Sequence, residues 1–586
     1  MLRRLAAGLT PGTWSPLRVW LTAFAAFFAL SVAWALASPL TSVPDEPFHM
    51  VKAAATVRGQ LHGAPVTWVT HNGPVTNHVP MTGYRLPTSY ADLVNLHECY
   101  FADAKVPASC ARTPGAQSGV AIAGTTAGAN NPLYYLAVGW PSLLSDGPLG
   151  MYGMRVVSAA LCAAMLASAV VTASQWSRRR RYPLAAVLAA ATPMVLFLAG
   201  SVNPNSLEAG AAILLWAAVL SLMTDPQPEL VPRLLARAGL ATLALVSVRQ
   251  LGPAWAMVIV VCAALAGRPG ALRAVLRRPQ VWLWSAAVGA VGLGCVAWTA
   301  KFNVLVLSSG GSDAHPNLTF AVAAKHTLGQ SLDYLRQMVG FFGWLDVRPP
   351  YHLAELWFVP VLALIAAACA VGKVRDVAAL ALLGISVIAI PVLAQGRQAQ
   401  TLGYIWQGRY LLAVAAGLPL LAAAILAKRS PRRPALGRLL ERLPLAVTAS
   451  TLLLGFLMFY TTLRRYMVGS HGSWVPLHPV WSPPGSMVLV VVLYLVGAGL
   501  AALTVLGSRT PDDTAAPGTP GSGPAPATAT DGPAPATATG GPVPTVVAPG
   551  DGVLSGMNGH ADGSGAGRDD PGLLSAGSQS SAPGGR

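Results

Sequence analysis

The chain has 586 residues, 53% of them hydrophobic and only 10% charged, with 39 Lys plus Arg against 22 Asp plus Glu. A soluble domain carries about a quarter charged residues, so this composition calls for lipid as solvent. The basic surplus falls in short runs between apolar segments, which fits the positive-inside rule better than a nucleic-acid-binding face.

Taken in chain order, Arg3, Arg4, an apolar run and Ala35-Leu36-Ala37 imitate a secretory signal and its cleavage site. The run from Val19 to Ala37 outlasts an h-region of about 7–15 residues, so it is expected to be an uncleaved anchor after a cytoplasmic segment 1–18. Crossing about 30 Å of hydrocarbon takes about 20 apolar residues. That length predicts a multi-pass domain over 19–506, with spans near 19–38, 154–174, 182–201, 206–223, 281–300, 353–371, 376–394, 408–427, 444–462 and 486–506. The stretch 238–266 is too long for one helix and is interrupted at Arg249-Gln250-Leu251-Gly252-Pro253, giving two short spans or a re-entrant hairpin. The expected fold is an all-α polytopic membrane protein of about 12 transmembrane helices.

With twelve crossings, the runs at Arg178 to Arg181, 224–237, 268–278, Lys373 with Arg375, and Lys428 to Arg442 all fall on the cytoplasmic side, as do both termini. Residues 41–150, 301–352, 395–407 and 463–485 then lie outside, in a bacterial plasma membrane whose chemistry faces outward. Within 301–352, Leu328, Leu332, Leu335, Val339 and Phe342 recur at helical spacing, for a helix lying in the interface or packed on its own loop. Cys99 and Cys110 share the first outer loop and form a candidate disulfide, although spacing leaves open whether their Cα atoms come within about 7 Å. After 507 the composition turns to Gly, Pro, Ala, Ser and Thr, with GPAPATAT repeated, which predicts a disordered cytoplasmic tail over 507–586.

The chemistry-bearing stretch is Ser42-Val43-Pro44-Asp45-Glu46-Pro47-Phe48-His49-Met50, opening a short helix after the first span. Asp45 or Glu46 there can cap the helix and complement its dipole. Alternatively Asp45, His49 and Lys52, at i, i+4 and i+7, offer an acid, an imidazole and an ammonium on one face, suited to acid/base work or to supporting a metal. Other polar groups are expected at the same outer level: Arg155, then Asn203, Asn205 and Glu208, then Arg397 and Gln407-Gly408-Arg409-Tyr410, then Arg464 and Arg465. Outer arginines run against the positive-inside bias, and a lipid-linked phosphate would give their guanidinium forks a partner, with snorkelling to headgroups as the alternative. Arg249 stands between two apolar halves, where an ionisable group is expensive and usually functional. In Phe341 to Pro349, Trp344 and Asp346 offer a sugar-stacking ring and a carboxylate, or an interfacial anchor. No phosphate loop, paired Cys-x-x-Cys or H-E-x-x-H helix is present, so nucleotide hydrolysis and a zinc site of those types are unsupported.

Pro44-Asp45-Glu46-Pro47-Phe48-His49, Asn131-Pro132-Leu133-Tyr134-Tyr135, Arg155, Gly343-Trp344-Leu345-Asp346 and Gln407-Gly408-Arg409-Tyr410 together resemble the bacterial membrane-protein family called domain of unknown function 2142, itself similar to the GT-C glycosyltransferase superfamily. The likeness spans roughly residues 20 to 505. It implies a polyprenyl-phosphate-linked sugar donor, a cell-envelope polysaccharide or protein as extracytoplasmic acceptor, and an essential carboxylate in the first outer loop. By position Asp45 is the expected base and Glu46 its partner or a ligand to a divalent cation such as Mg or Mn. The superfamily often separates two acids by one residue, whereas here they are adjacent and diverge by about 100° on a helix. The competing classes are a transporter or flippase for a lipid-linked or anionic solute and a non-catalytic scaffold. A transporter would favour matched Gly/Pro interruptions in two halves, and only one clear interruption, at Arg249 to Pro253, is visible.

Overall fold

The computed structural model describes residues 14–507 except 73–74, 102, 115–118, 303–314, 316 and 430–433. The tail expected over 507–586 lies, after Gly507, outside the described residues.

Ser15 starts the first span, its Oγ accepting from the Arg18 amide, and Pro16 fits the first turn of helix α1 (Pro16–Ala37). An outer subdomain follows: helix α2 (Glu46–Val57), strands β1 (Ala64–Asn72), β2 (Val75–Pro87) and β3 (Val120–Thr125), and helix α3 (Leu133–Gly139). The chain then runs through α4 (Pro148–Ser174), α5 (Arg181–Ala190), α6 (Pro193–Ala199), α7 (Pro204–Thr224), α8 (Val231–Val248) and α9 (Gly252–Ala266). Next come α10 (Ala271–Leu276), α11 (Pro279–Lys301), α12 (Phe320–Gly329), α13 (Ser331–Val339), α14 (Leu353–Leu356) and α15 (Phe358–Val371). The last are α16 (Val374–Leu402), α17 (Leu412–Ala415), α18 (Gly417–Lys428), α19 (Pro434–Val468) and α20 (Met487–Leu506).

Among the described residues ten helices are long and apolar enough to cross a membrane, and α5 with α6, bent by 62°, make an eleventh. The expected count of about twelve is therefore approximate. The remaining candidate is α9, whose 15 residues reach only about 22 Å at 1.5 Å each. It is nonetheless one arm of a hairpin with α8, broken at Arg249 to Leu251 where the sequence placed the interruption.

The basic loops meet at one end. Arg268 lies 3.9 Å from Asp225, whose carboxylate also takes the Ser177 amide. Lys428 donates to the Ala266 carbonyl, Arg179 to the Arg429 carbonyl, and Arg181 to the Leu506 carbonyl at the end of α20. At the centre, every residue of α7 is buried, as befits a helix apolar all round. At the periphery, no residue of α11 is buried.

The outer loop is not only helical. β1, β2 and β3 form an antiparallel sheet, with Ala64 opposite Gly83 and Thr82 opposite Thr125. Thr125 Oγ1 donates to the Phe48 carbonyl, and Tyr84, Leu86 and Ala123 share a core with Met50, Val51 and Ala54 of α2. The stripe expected from Leu328 to Phe342 is divided at Gly329–Gln330 between α12 and α13. Its first members, Leu328 and Leu332, are exposed, whereas Val339 and Phe342 are buried in the main core, so no single interfacial face exists.

Candidate functional site

Asp45 occupies the N-cap position of α2 with φ of 63°, a left-handed conformation uncommon outside glycine and tolerated by Asp. Its side chain makes no capping hydrogen bond, which removes the capping account. Instead Oδ2 accepts from Arg409 Nη2. The Asp45 side chain keeps 37% exposure, and no described residue donates to its Oδ1, so one oxygen of an accessible carboxylate is free.

The adjacent acid has the opposite fate. Glu46 and Arg155 are both fully buried and form a two-pronged pair, with Nε to Oε1 at 2.7 Å and Nη2 to Oε2 at 2.5 Å. Glu46 also accepts from the amides of Thr41 and Val202, and Arg155 donates to the carbonyls of Ala35, Ser38 and Pro39. This corrects two expectations. Neither side chain has a face left for a substrate, a phosphate or a metal; the pair ties the ends of α1, α2 and α7 to α4. Asn203 is likewise structural, its Nδ2 holding the Pro44 carbonyl and its Oδ1 the Asn205 amide. The divergence of adjacent side chains sends Asp45 and Glu46 to different arginines, so no shared metal site forms from them. Among the described residues no group of three or more His, Cys, Asp and Glu side chains is placed to hold a metal ion.

Arg409 comes from the Gln407-Gly408-Arg409-Tyr410 turn. A Cβ on Gly408 would lie 2.1 Å from the Tyr334 carbonyl oxygen, so only glycine lets this backbone approach α13, where its amide donates to Gln337 Oε1. Gln395, which the sequence did not single out, shapes the preceding loop by accepting from the Ile405 and Trp406 amides. The Arg409 guanidinium is buried, yet its Nε and Nη1 have no partner. Arg249, at the α8–α9 break, sets its guanidinium 5.2 Å from the centre of the Tyr410 ring, as does Arg409. The break thus delivers a second cation to the Tyr410 ring that Arg409 also meets, within electrostatic reach of His49 and Glu208. Glu208 accepts from Trp255 Nε1 at 3.0 Å, and the buried Asn205 Oδ1 and Gln407 Oε1 have no donor.

His49 is buried one turn along from Asp45, its Nδ1 2.9 Å from the Tyr135 hydroxyl, which also accepts from Asn130. Tyr135 and Asn130 complete the constellation and were missed as site residues; for Tyr135 the signal lay in the Asn131 to Tyr135 motif, and Asn130 stands just before it. Lys52, expected on the same face, is engaged elsewhere, donating to the carbonyls of Leu61 and Gly128 and to the Tyr84 hydroxyl. Burial pulls its ammonium down to about 8.

Burial also holds His49 at about 3, with Arg249 and Arg409 pushing the same way against Asp45. The imidazole is therefore neutral in the fold, while the unfolded chain takes up a proton below 6.5. Stability must fall as pH drops from 6.5 towards 3, by up to about 1.4 kcal/mol per pH unit. His49→Asn is expected to flatten the dependence of Tm on pH in that window. An unchanged slope in a detergent melt would show that other groups carry the acid sensitivity.

Trp344 sits in a tight turn closed by the reciprocal Phe342–Val347 bridge, with Gly343 at φ 61° and Leu345 at φ 69°. Asp346 accepts the Trp344 amide and serves this turn. The Trp344 indole donates to the Thr41 carbonyl and stacks on His97 at 4.5 Å, so the ring braces the Asp45 turn, with one face covered. Arg397 is exposed on α16 and joins no hydrogen bond or ion pair of the cluster. Arg464 donates through Nε and Nη2 to carbonyls, and Arg465 clamps the carbonyls of Tyr100, Asp103 and Val106 through Nη1 and Nη2, its buried Nε left without a partner. That segment is closed by a Cys99–Cys110 disulfide with Cα atoms 6.0 Å apart.

A bundle of membrane-spanning helices with a polar, cation-bearing site under a small outer subdomain defines the class: a multi-pass membrane protein. The chain belongs to the family described as predicted membrane protein (DUF2142), whose model matches residues 28–418. It is also similar to the crystal structure of ArnT from Cupriavidus metallidurans bound to undecaprenyl phosphate, at 15% identity and a TM-score of 0.37, over 82% of this chain and 76% of that one. No curated protein matches the chain.

Proposed function

We propose that this protein is a membrane glycosyltransferase that moves a sugar from a polyprenyl-phosphate donor to a hydroxyl of a cell-envelope acceptor. One observation carries this: a buried Arg409 with two unpartnered nitrogens stands against an accessible Asp45 with one free oxygen. Buried donors left unmade cost about 1–3 kcal/mol each, so Arg409 is a ready anion site, and Arg249 adds a second positive charge over the same tyrosine. Asp45 Oδ1 takes the proton of the acceptor hydroxyl as its oxygen bonds to the anomeric carbon. The bond from that carbon to the phosphate oxygen breaks, and the lipid phosphate leaves with the electron pair, its growing charge met by Arg409 and Arg249. His49, kept neutral, and Tyr135 hold the floor of the site.

The basic loops gathered at the other end support an orientation with that end cytoplasmic and Asp45 facing outward from a bacterial plasma membrane. The functional unit is the membrane domain 19–506. Hard divalent cations take about six oxygen ligands, and Glu46 is sealed onto Arg155 while Asp45 shares one oxygen with Arg409. Asp45 and Glu46 together thus leave one free carboxylate oxygen, and Arg409 and Arg249 already supply positive charge for the phosphate, so treatment with a chelator is expected to leave transfer within about twofold; a rate restored only by Mg or Mn would contradict this.

The test supplies purified protein in liposomes with radiolabelled polyprenyl-phosphate sugars and cell-envelope acceptor. Label leaving the lipid for the acceptor is expected. Label crossing the bilayer with its sugar still attached would instead identify a flippase, and neither outcome would leave a scaffold.

A further inference from the structure

The end of the bundle remote from Asp45 holds a cavity of about 510 Å³ whose walls carry Arg268, Lys373, Arg375, Lys428 and Arg429 against a single carboxylate, Asp376. That carboxylate is already committed. It accepts from Lys428 Nζ at 2.6 Å, from Arg429 Nη2 at 2.9 Å and from the Lys373 amide at 3.0 Å. Lys428 also caps the last carbonyl of α9. Arg268, Lys373 and Arg375 remain exposed around the opening, with the positive end of the α16 dipole between them. Arg268 is 3.9 Å from Asp225, but Lys373 and Arg375 have no carboxylate of their own in this cavity, and Arg375 and Arg429 act as like-charge neighbours of Lys428, so an anion entering would relieve that excess of positive charge. An adjoining cavity of about 460 Å³ shares Arg268 and Lys428 but is lined by Asp225 and Glu229, which suit it less to an anion.

A second feature says which anion. From Val374 at the cavity edge, Val377, Ala381, Ile385 and Ile388 follow at spacings of three and four along α16, and all are exposed, Val374 at 86% and Ile385 at 62%. They form one apolar lane running from the basic cavity down the outside of the bundle. We infer that this cavity binds the phosphate of an anionic phospholipid from the adjacent leaflet, with the acyl chain lying along the α16 lane. Arg268, Lys373 and Arg375 meet the phosphate; Asp376, Lys428 and Arg429 form the rigid base beneath it. The inference is independent of the chemistry proposed at Asp45.

The test uses the full chain in nanodiscs of phosphatidylcholine with added cardiolipin, and native mass spectrometry to count retained cardiolipin. The variant Arg268→Gln, Lys373→Gln, Arg375→Gln is compared with Arg273→Gln, Arg277→Gln, Arg278→Gln, which removes the same charge from exposed positions outside the cavity. The cavity variant is expected to lose retention by about tenfold or more, and the control by less than about twofold. Equal losses in the two, or none in the first, would overturn the site. Arg375→Glu alone, at an exposed position, should give a smaller loss in the same direction and guards against a misfolded triple variant. Inorganic phosphate added in millimolar excess is expected to leave the lipid bound; its displacement of cardiolipin would overturn the lipid assignment in favour of a soluble phosphate.

Discussion

Asp45→Asn is expected to lower sugar transfer by about 10²–10⁴-fold, the range of a lost general base, with the protein still folded and inserted. Asn is isosteric, its amide oxygen can still accept from Arg409 Nη2, and the position is 37% exposed, so water can meet the charge Arg409 keeps, unlike the fully buried Arg155. What disappears is the basic oxygen facing the acceptor. The loss should therefore fall on kcat, with donor binding at Arg409 and Arg249 little changed. Unchanged transfer in membranes carrying correctly inserted Asp45→Asn protein would remove the base assignment.

The neighbouring residue should behave in the opposite way. Glu46→Gln leaves Arg155 charged, fully buried and without its counter-ion, a change that costs about 3–5 kcal/mol in comparable buried pairs. The expected result is a large fall in Tm in detergent and a low yield of inserted protein. Glu46→Gln combined with Arg155→Met removes both charges and should recover part of that stability, because the penalty lies in the unpaired charge rather than in the missing attraction. If Glu46→Gln melts like the parent while transfer collapses, Glu46 belongs to the chemistry and not to the scaffold.

These two predictions separate residues that sequence alone could only name together. Asp45-Glu46 was visible as a pair, and its position after the first span marked the right place in the chain. Which member is accessible depends on Arg155 and Arg409, which lie 109 and 364 positions from their partners. No local pattern encodes such contacts. The outer arginines show the same limit. Arg155, Arg464 and Arg465 have the same sequence appearance as Arg409, yet these three are held mainly by carbonyls or a carboxylate, whereas Arg409 holds Asp45 and meets Arg249 at the Tyr410 ring. The three-stranded sheet was missed because β2 carries Pro80, a strand-weakening signal, and gains its stability from packing on α2.

The sequence by itself determined that the chain is a multi-pass helical membrane protein, where most spans lie, that 238–266 breaks at Arg249, and which loops share a side. Those properties follow from apolar length and charge placement, which act locally and need no partner. Only the tertiary structure decided that Asp45 is held by Arg409 and open on one edge, that Glu46 is locked to Arg155, and that Arg249 meets Arg409 over Tyr410. Each of these is a contact between distant helices, and desolvation makes a charge structural where its partners are complete and available where they are not.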